Sequence, residues 1–253
     1  MNFPGNNIFR CSALLLMGCP VASIAAACDG TVYLTFDTGN MAQADDIAAT
    51  LNKYQVKATF FLANEKTLRG DFSLDPSWAS YWKARADEGH AFGSHTWAHD
   101  YFRRDVGVDK VAYVSSAGKT ALLDANAVCA ELRKPDEAFH KMTGRKFDAI
   151  WRAPGGRTTP RALAYASQCG YTQHIDWAKA GFLGDEYPSN THSNEMLLKK
   201  AQRDIRNGDI LLLHLGVWSR KQPLAPILDP LIADLKTRGM CFATIPQRKV
   251  AAK

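Results

Sequence analysis

Four groups of residues in this chain have the types and spacing that hydrolytic chemistry needs. Asp37 ends the apolar and threonine-containing run from Thr31 to Phe36, and Gly39 follows it, a placement that suits a carboxylate aimed into a cleft from a strand end. His95 and His99 are four residues apart, so on a helical turn both imidazoles face one side and can bind a single metal ion. Arg152 stands just past the run Lys146 to Trp151, and Pro154-Gly155-Gly156 shapes a turn behind it, so its guanidinium could reach inward to hold a carboxylate. His214 closes the most apolar segment of the chain and precedes Gly216. Together these groups read as a metal-assisted hydrolytic site. Each has a plainer alternative: a helix cap for Asp37, surface or capping positions for the histidine pair, a surface arginine, and a hydrogen-bonded core histidine for His214.

These side chains must be carried by buried strands. Short apolar runs predict strands over Thr31 to Phe36, Lys57 to Leu62, His90 to Ser94, Lys146 to Trp151, Tyr171 to Asp176, Asp209 to His214 and Met240 to Ile245. Helical periodicity predicts helices over Ala42 to Tyr54, Trp78 to Glu88, Pro160 to Gln168, Met196 to Arg206 and Pro223 to Arg238, and the stretch Val108 to Met142 reads as two helices parted near Gly118. Strands alternating with helices predict parallel pairing, and seven of them predict an α/β fold of the irregular (β/α)7 barrel type, TIM-like and one element short of eight. With 253 residues, 46% of them apolar, the chain can bury one full core, so residues 28–253 are expected to form a single catalytic domain.

Residues 1–27 read as a secretory signal peptide. They carry Arg10 as their one charge, an apolar segment from Ser12 to Ile24, and the small-residue cleavage site Ala25-Ala26-Ala27. That segment is shorter than the roughly 20 residues that span a bilayer, and Pro20 interrupts it, so no transmembrane segment is expected. The alternative is a membrane-tethered lipoprotein, because Leu16-Met17-Gly18-Cys19 looks like a lipid-attachment box with Cys19 as anchor. A secreted or periplasmic domain would hold Cys28, Cys129, Cys169 and Cys241 in an oxidising compartment. A closing barrel would bring Cys28 beside Cys241 and leave Cys129 with Cys169; free buried cysteines are the other possibility. The formal charge of +6, one less without Arg10, is dispersed rather than gathered with stacking aromatics, so no nucleic-acid partner is expected, and an anionic cell envelope suits the balance better.

The order of the motifs resembles the polysaccharide deacetylases, the family 4 carbohydrate esterases built on the nodulation-type chitooligosaccharide deacetylase domain. The motifs are Thr35-Phe36-Asp37-x-Gly39, Val56-Lys57-Ala58-Thr59-Phe60-Phe61, Glu88-Gly89-His90, His95-x-x-x-His99, Arg152-x-Pro154-x-Gly156 and Leu211-Leu212-Leu213-His214, which span nearly all of the mature chain. The resemblance implies a divalent metal, usually zinc, held by His95, His99 and the residue at position 38. It implies Asp37 as the general base, Arg152 as the group that orients it, and His214 as the general acid. It also places the Gly155 backbone N–H at the oxyanion, with Trp177 and Leu212 lining the acetyl pocket.

Two positions depart from that pattern. The family's ligand aspartate is Thr38 here, and a neutral hydroxyl is a poorer zinc ligand, so the metal should bind more weakly or recruit water or Asp37. If Asp176-Trp177 closes the fourth motif, the aspartate expected to partner the acid histidine becomes Gln173; if the register slides so that Trp177 takes the next role, Ala180 falls at the tryptophan position instead. The deacetylases of N-acetylmuramic acid also replace the second aspartate and follow the last histidine with a Ser-Arg pair, as Ser219-Arg220 does here, which favours peptidoglycan over a chitooligosaccharide as the amino-sugar glycan. Trp97, Trp151 and Trp218 are candidates for stacking on sugar rings. Two other readings stay open: a glycan-binding protein that has lost the metal, and a hydrolase of another acyl or amide bond, such as an O-acetyl esterase, a deformylase or a ring amidohydrolase.

Overall fold

The structure, a computed structural model, describes Met1 and residues 28–248; the rest of the expected leader, Cys19 included, lies outside them. Among the described residues no helix is long and apolar enough to cross a membrane.

Seven strands form one parallel, curled sheet: β1 (Gly30–Asp37), β2 (Thr59–Leu62), β3 (Ala91–Ser94), β7 (Ile150–Trp151), β8 (Gln173–His174), β9 (Ile210–His214) and β10 (Met240–Phe242). Their order is β8–β7–β3–β2–β1–β9, and β10 pairs with the first residues of β1 on the edge that β2 takes further along. The stretch 173–183 closes the curl. It pairs with β7 at its start, Ala178 N–H donates to Ile210 O at 3.1 Å, and Phe182 bridges to Leu212. This is the irregular (β/α)7 barrel, with its last seam made of non-repetitive backbone.

The two-residue period of the strands divides core from site. On β1, Val32, Leu34 and Phe36 face a layer covered by helices, where Phe36, Phe60, Phe92 and Phe139 follow one another at centroid separations of 5.5, 5.7 and 4.4 Å. Tyr33 joins Phe61, Ile150, Ile175 and Ile210 in the barrel interior, so Thr35 and Asp37, two and four residues on, point the same way. The helix α1 (Ala44–Tyr54) turns Ala44, Ile47, Ala48 and Leu51 inward, the 3.6-residue period that an amphipathic helix needs. The helices α2 (Ala79–Asp87), α4 (Pro160–Gln168), α5 (Asn194–Asp204) and α6 (Leu228–Thr237) complete the outer layer.

The stretch Val108 to Met142 differs from the two helices expected there. It holds the last two strands of an antiparallel three-stranded sheet, β4 (Tyr101–Val106), β5 (Lys110–Val114) and β6 (Thr120–Leu123), followed by one helix, α3 (Ala125–Thr143). The reason is turn and strand chemistry that outweighs helical pattern. Gly107 and Gly118 take positive φ between strands, and Val111 and Tyr113 bury themselves with Phe102 and Trp151. Asp124 then caps α3 by accepting the Ala127 N–H at 3.0 Å.

Both cysteine pairs form disulfides. Cys28–Cys241 joins the start of β1 to β10, and Cys129–Cys169 joins α3 to the end of α4, with Cα separations of 5.6 and 5.7 Å.

Candidate active site

The strand ends converge on Asp37, which is 2% exposed. Arg152, fully buried just past β7, donates from Nη1 to Asp37 Oδ1 and to Thr35 Oγ1, each at 2.9 Å, and from Nε to the Ile175 carbonyl at 3.0 Å. Thr35 in turn donates to the Leu211 carbonyl at 2.6 Å, so the guanidinium is tied to β1, to β9 through Thr35, and to the segment that follows β8. Burial alone would push the Asp37 carboxyl up, but Arg152, then His95 and His214, overcome it and hold Asp37 below the usual carboxylate range. It is ionised at neutral pH. A capping role is excluded by these contacts, and Arg152 is not a surface arginine.

His95 and His99 meet, with ring centroids 4.8 Å apart, but not on a helical turn. Thr96 and His99 both take positive φ, 65° and 54°, so the loop is a left-handed kink that must be held from outside. Glu131 on α3 accepts the N–H groups of Trp97 and Ala98 at 3.2 and 2.9 Å, and the Tyr113 hydroxyl lies 2.9 Å from Thr96 Oγ1 and 3.1 Å from Glu131. The small antiparallel sheet and α3 therefore serve the histidine loop. His95 Nδ1 is 2.8 Å from the Arg152 carbonyl, an acceptor, so Nδ1 carries the hydrogen and Nε2 keeps its lone pair, 3.4 Å from Asp37 Oδ2. Burial pushes the His95 imidazole down to about 4, which keeps it neutral.

Thr38 is fully buried, and its hydroxyl is turned to Glu65: it donates to Glu65 Oε2 at 2.5 Å and accepts the Ala63 N–H at 3.2 Å. Gly39 N–H donates to the same Glu65 oxygen at 2.6 Å. Gly39 has φ 65°, and a Cβ there would meet the Gly216 carbonyl at 2.1 Å, so only glycine permits this approach of the two loops. Glu65 lies just past β2, and its Oε1 is 3.7 Å from His99 Nδ1.

His214 ends β9 beside a buried aspartate that the spacing of motifs did not reveal, Asp185. The Asp185 carboxylate accepts the His214 backbone N–H at 2.6 Å and takes Nδ1 at 3.1 Å, which leaves Nε2 for chemistry. Burial opposes the charge on His214, but Asp185, then Asp37 and Glu186, overcome it and push the imidazole up to about 10. The partner of His214 is thus Asp185 and not Gln173. Ser219 and Arg220 fasten the loop that carries Asp185: Ser219 Oγ donates to Glu186 O at 2.9 Å, and Arg220 donates to the carbonyls of Tyr187 and His192 at 2.8 and 2.9 Å.

Asp37, His95, His99 and His214 open on one pocket of about 760 Å³. Gly155, Trp177 and Leu212 are in its wall, together with Tyr101 and Phe182. Of the tryptophans considered for sugar stacking, Trp151 is fully buried beside Phe102 and cannot meet a ligand, and Trp97 packs on the helical core. Trp218 is exposed but outside the pocket wall.

The donor set fits a divalent ion in its chemistry: two imidazoles, one with a fixed free nitrogen, and carboxylates beside them. Among the described residues, no three His, Cys, Asp or Glu side chains are already drawn into a closed cage.

A strand-end carboxylate clasped by an arginine, a histidine pair and a histidine–aspartate pair in the mouth of a seven-stranded barrel define a hydrolase site. The sequence model of the family described as polysaccharide deacetylase matches residues 25–174. The chain belongs to the polysaccharide deacetylase family and is a hydrolase of carbon–nitrogen bonds other than peptide bonds. It is similar to the peptidoglycan-N-acetylmuramic acid deacetylase PdaA of Bacillus subtilis, with 28% identity over 222 residues that cover 85% of this chain and 70% of that one. A chitin deacetylase of Pestalotiopsis sp is 29% identical over 234 residues, covering 89% of this chain and 66% of the relative. A family 4 carbohydrate esterase pseudoenzyme from Bacillus anthracis has the same fold, with a TM-score of 0.64 at 20% identity over 86% of this chain and 64% of that one.

Proposed function

We propose that this chain is an exported, metal-dependent N-deacetylase that releases acetate from an amino sugar of peptidoglycan. The observation that carries the reading is the pair of opposite protonation states on adjacent strand ends: Asp37 held ionised by Arg152, and His214 held protonated by Asp185, both facing one pocket. That is the division of labour between base and acid that amide hydrolysis requires.

Asp37 takes the proton of the attacking water, and Arg152 keeps its carboxylate ionised and aimed. His95 and His99 would hold a divalent ion such as zinc, whose Lewis acidity would be available to the acetyl carbonyl and the water. The Gly155 N–H is available to the developing oxyanion. His214 hands its Nε2 proton to the departing amine, and Asp185 stabilises the imidazolium until then. The acetyl methyl rests against Leu212 and Trp177.

Lys179 and Lys200 in the pocket wall, the similarity to PdaA and the Ser219–Arg220 clamp support a carboxylate-bearing glycan over neutral chitin. The two disulfides support an oxidising compartment, in line with the leader over residues 1–27; Cys19 as a lipid anchor is the alternative, decided by whether the protein fractionates with membranes.

The test is acetate release from peptidoglycan and from chitooligosaccharides, with zinc and after chelation. Zinc-dependent release from peptidoglycan supports the reading in full, and release from chitooligosaccharides alone moves the substrate. Release only from O-acetylated glycan would make the protein an esterase. No release with any divalent metal would leave a glycan-binding protein, the reading that Thr38 alone would favour.

A further inference from the structure

We infer that Glu65 is the third metal ligand of this chain, standing in for the carboxylate that Thr38 lacks, and that Thr38 acts as its holder. The inference rests on the metal-dependent reading above.

Three observations converge. First, Glu65 and Thr38 occupy one place: the Thr38 hydroxyl meets Glu65 Oε2 at 2.5 Å, so a longer acidic side chain from the end of β2 reaches where a shorter one at position 38 would stand. Second, the two carboxylate oxygens are differently engaged. Oε2 is consumed by Thr38 and Gly39, while Oε1 faces His99 at 3.7 Å, an arrangement that fixes the orientation of a ligand and leaves one oxygen for the ion. Third, Glu65 has a side chain only 19% exposed, and among the described residues no lysine or arginine lies within ion-pair distance of it; the nearest ionisable side chain is the His99 imidazole. A largely buried carboxylate without a permanent cation is an uncommon expense unless a cation binds there.

The arrangement also explains why the hydroxyl at position 38 is buried. Thr38 accepts the Ala63 N–H and donates to Glu65, so it links β1 to the segment that carries the ligand.

The experiment is calorimetric zinc titration of the metal-free mature protein in four forms: wild type, Glu65→Gln, Thr38→Val, and the double variant Glu65→Gln with Thr38→Asp. Glutamine keeps an acceptor for Thr38 and Gly39 but loses the anionic oxygen. The expected result is one zinc per wild-type chain, a loss on the order of 100-fold in affinity for Glu65→Gln, a smaller loss for Thr38→Val, and recovery in the double variant. Wild-type binding with unchanged affinity in Glu65→Gln would overturn the role of Glu65 while leaving the metal reading intact. Absence of zinc binding in the wild type would overturn both. A crystal structure of the zinc-loaded wild type checks the point without variants: Glu65 Oε1 should lie roughly 2.0–2.2 Å from the ion, and a longer separation refutes the assignment.

Discussion

Asp37 and His214 are register partners at the ends of adjacent parallel strands, and the Leu215 N–H donates to the Asp37 carbonyl at 2.9 Å. Each is among the groups that favour the other's charged form. These two groups, the proposed base and acid, therefore titrate as a linked pair, and removing one charge weakens the other.

The first expectation follows from that linkage. Asp37→Asn should lower kcat about 10²- to 10⁴-fold while zinc remains bound, and it should also move the His214 titration downward. Steady-state acetate release, metal content and an NMR titration of the imidazole measure the three effects. Near-normal turnover would refute Asp37 as base.

Asp185 is the main support of the His214 proton. With His214 titrating near 10 rather than near 6.5, the acid stays protonated through neutral pH, and kcat/KM should fall only as pH rises toward 10. Asp185→Asn should shift that alkaline limb to lower pH. The sign for stability agrees: a raised imidazole stabilises the fold below about 6.5, and the contribution disappears as pH rises through about 10. A pH–rate profile unchanged in Asp185→Asn would contradict the pairing.

The kinked histidine loop depends on Glu131 and Tyr113. Glu131→Gln and Tyr113→Phe should each destabilise the protein by about 1–3 kcal/mol and weaken zinc affinity, although neither residue is a proposed ligand. Denaturant unfolding and zinc titration report the two effects. Loss of stability with full zinc affinity would show that the loop keeps its shape unaided.

The two disulfides should differ in weight. In the chain-entropy treatment the bridge closing 213 residues contributes about 5 kcal/mol and the one closing 40 residues about 4 kcal/mol. Cys241→Ala and Cys169→Ala should therefore both lower Tm, the former more, in thermal scans under oxidising conditions.

Much of this architecture was legible in the sequence because burial on a strand leaves a plain record. Apolar runs ending in Asp37, Arg152 and His214 marked strand ends, and family motifs tied them to one barrel mouth. Glu65 and Asp185 escaped for different reasons. Glu65 follows the apolar run Thr59 to Ala63 after a single residue, much as Asp37 follows its own, but it falls outside the motif, which assigns the ligand to position 38. Asp185 sits on an irregular seam with no strand period to point at it, and only the close packing of 181–183 against β9 places it. The antiparallel sheet was hidden because Val111, Ala112 and Tyr113 are all buried, which erases the alternation that identifies a strand.

The sharing of β1 between β9 and β10 has a consequence for the order of synthesis. β1 receives β9 along one edge and β10 at the start of the opposite edge, the one it shares with β2, and both come from residues 210–242, after its other partner β2. Until those residues emerge, one edge of β1 has open backbone groups, Cys28 has no Cys241, and Asp37 has no His214. The proposed catalytic centre and the long covalent ring are therefore completed in the same late step, so truncation before residue 210 should yield a chain with neither.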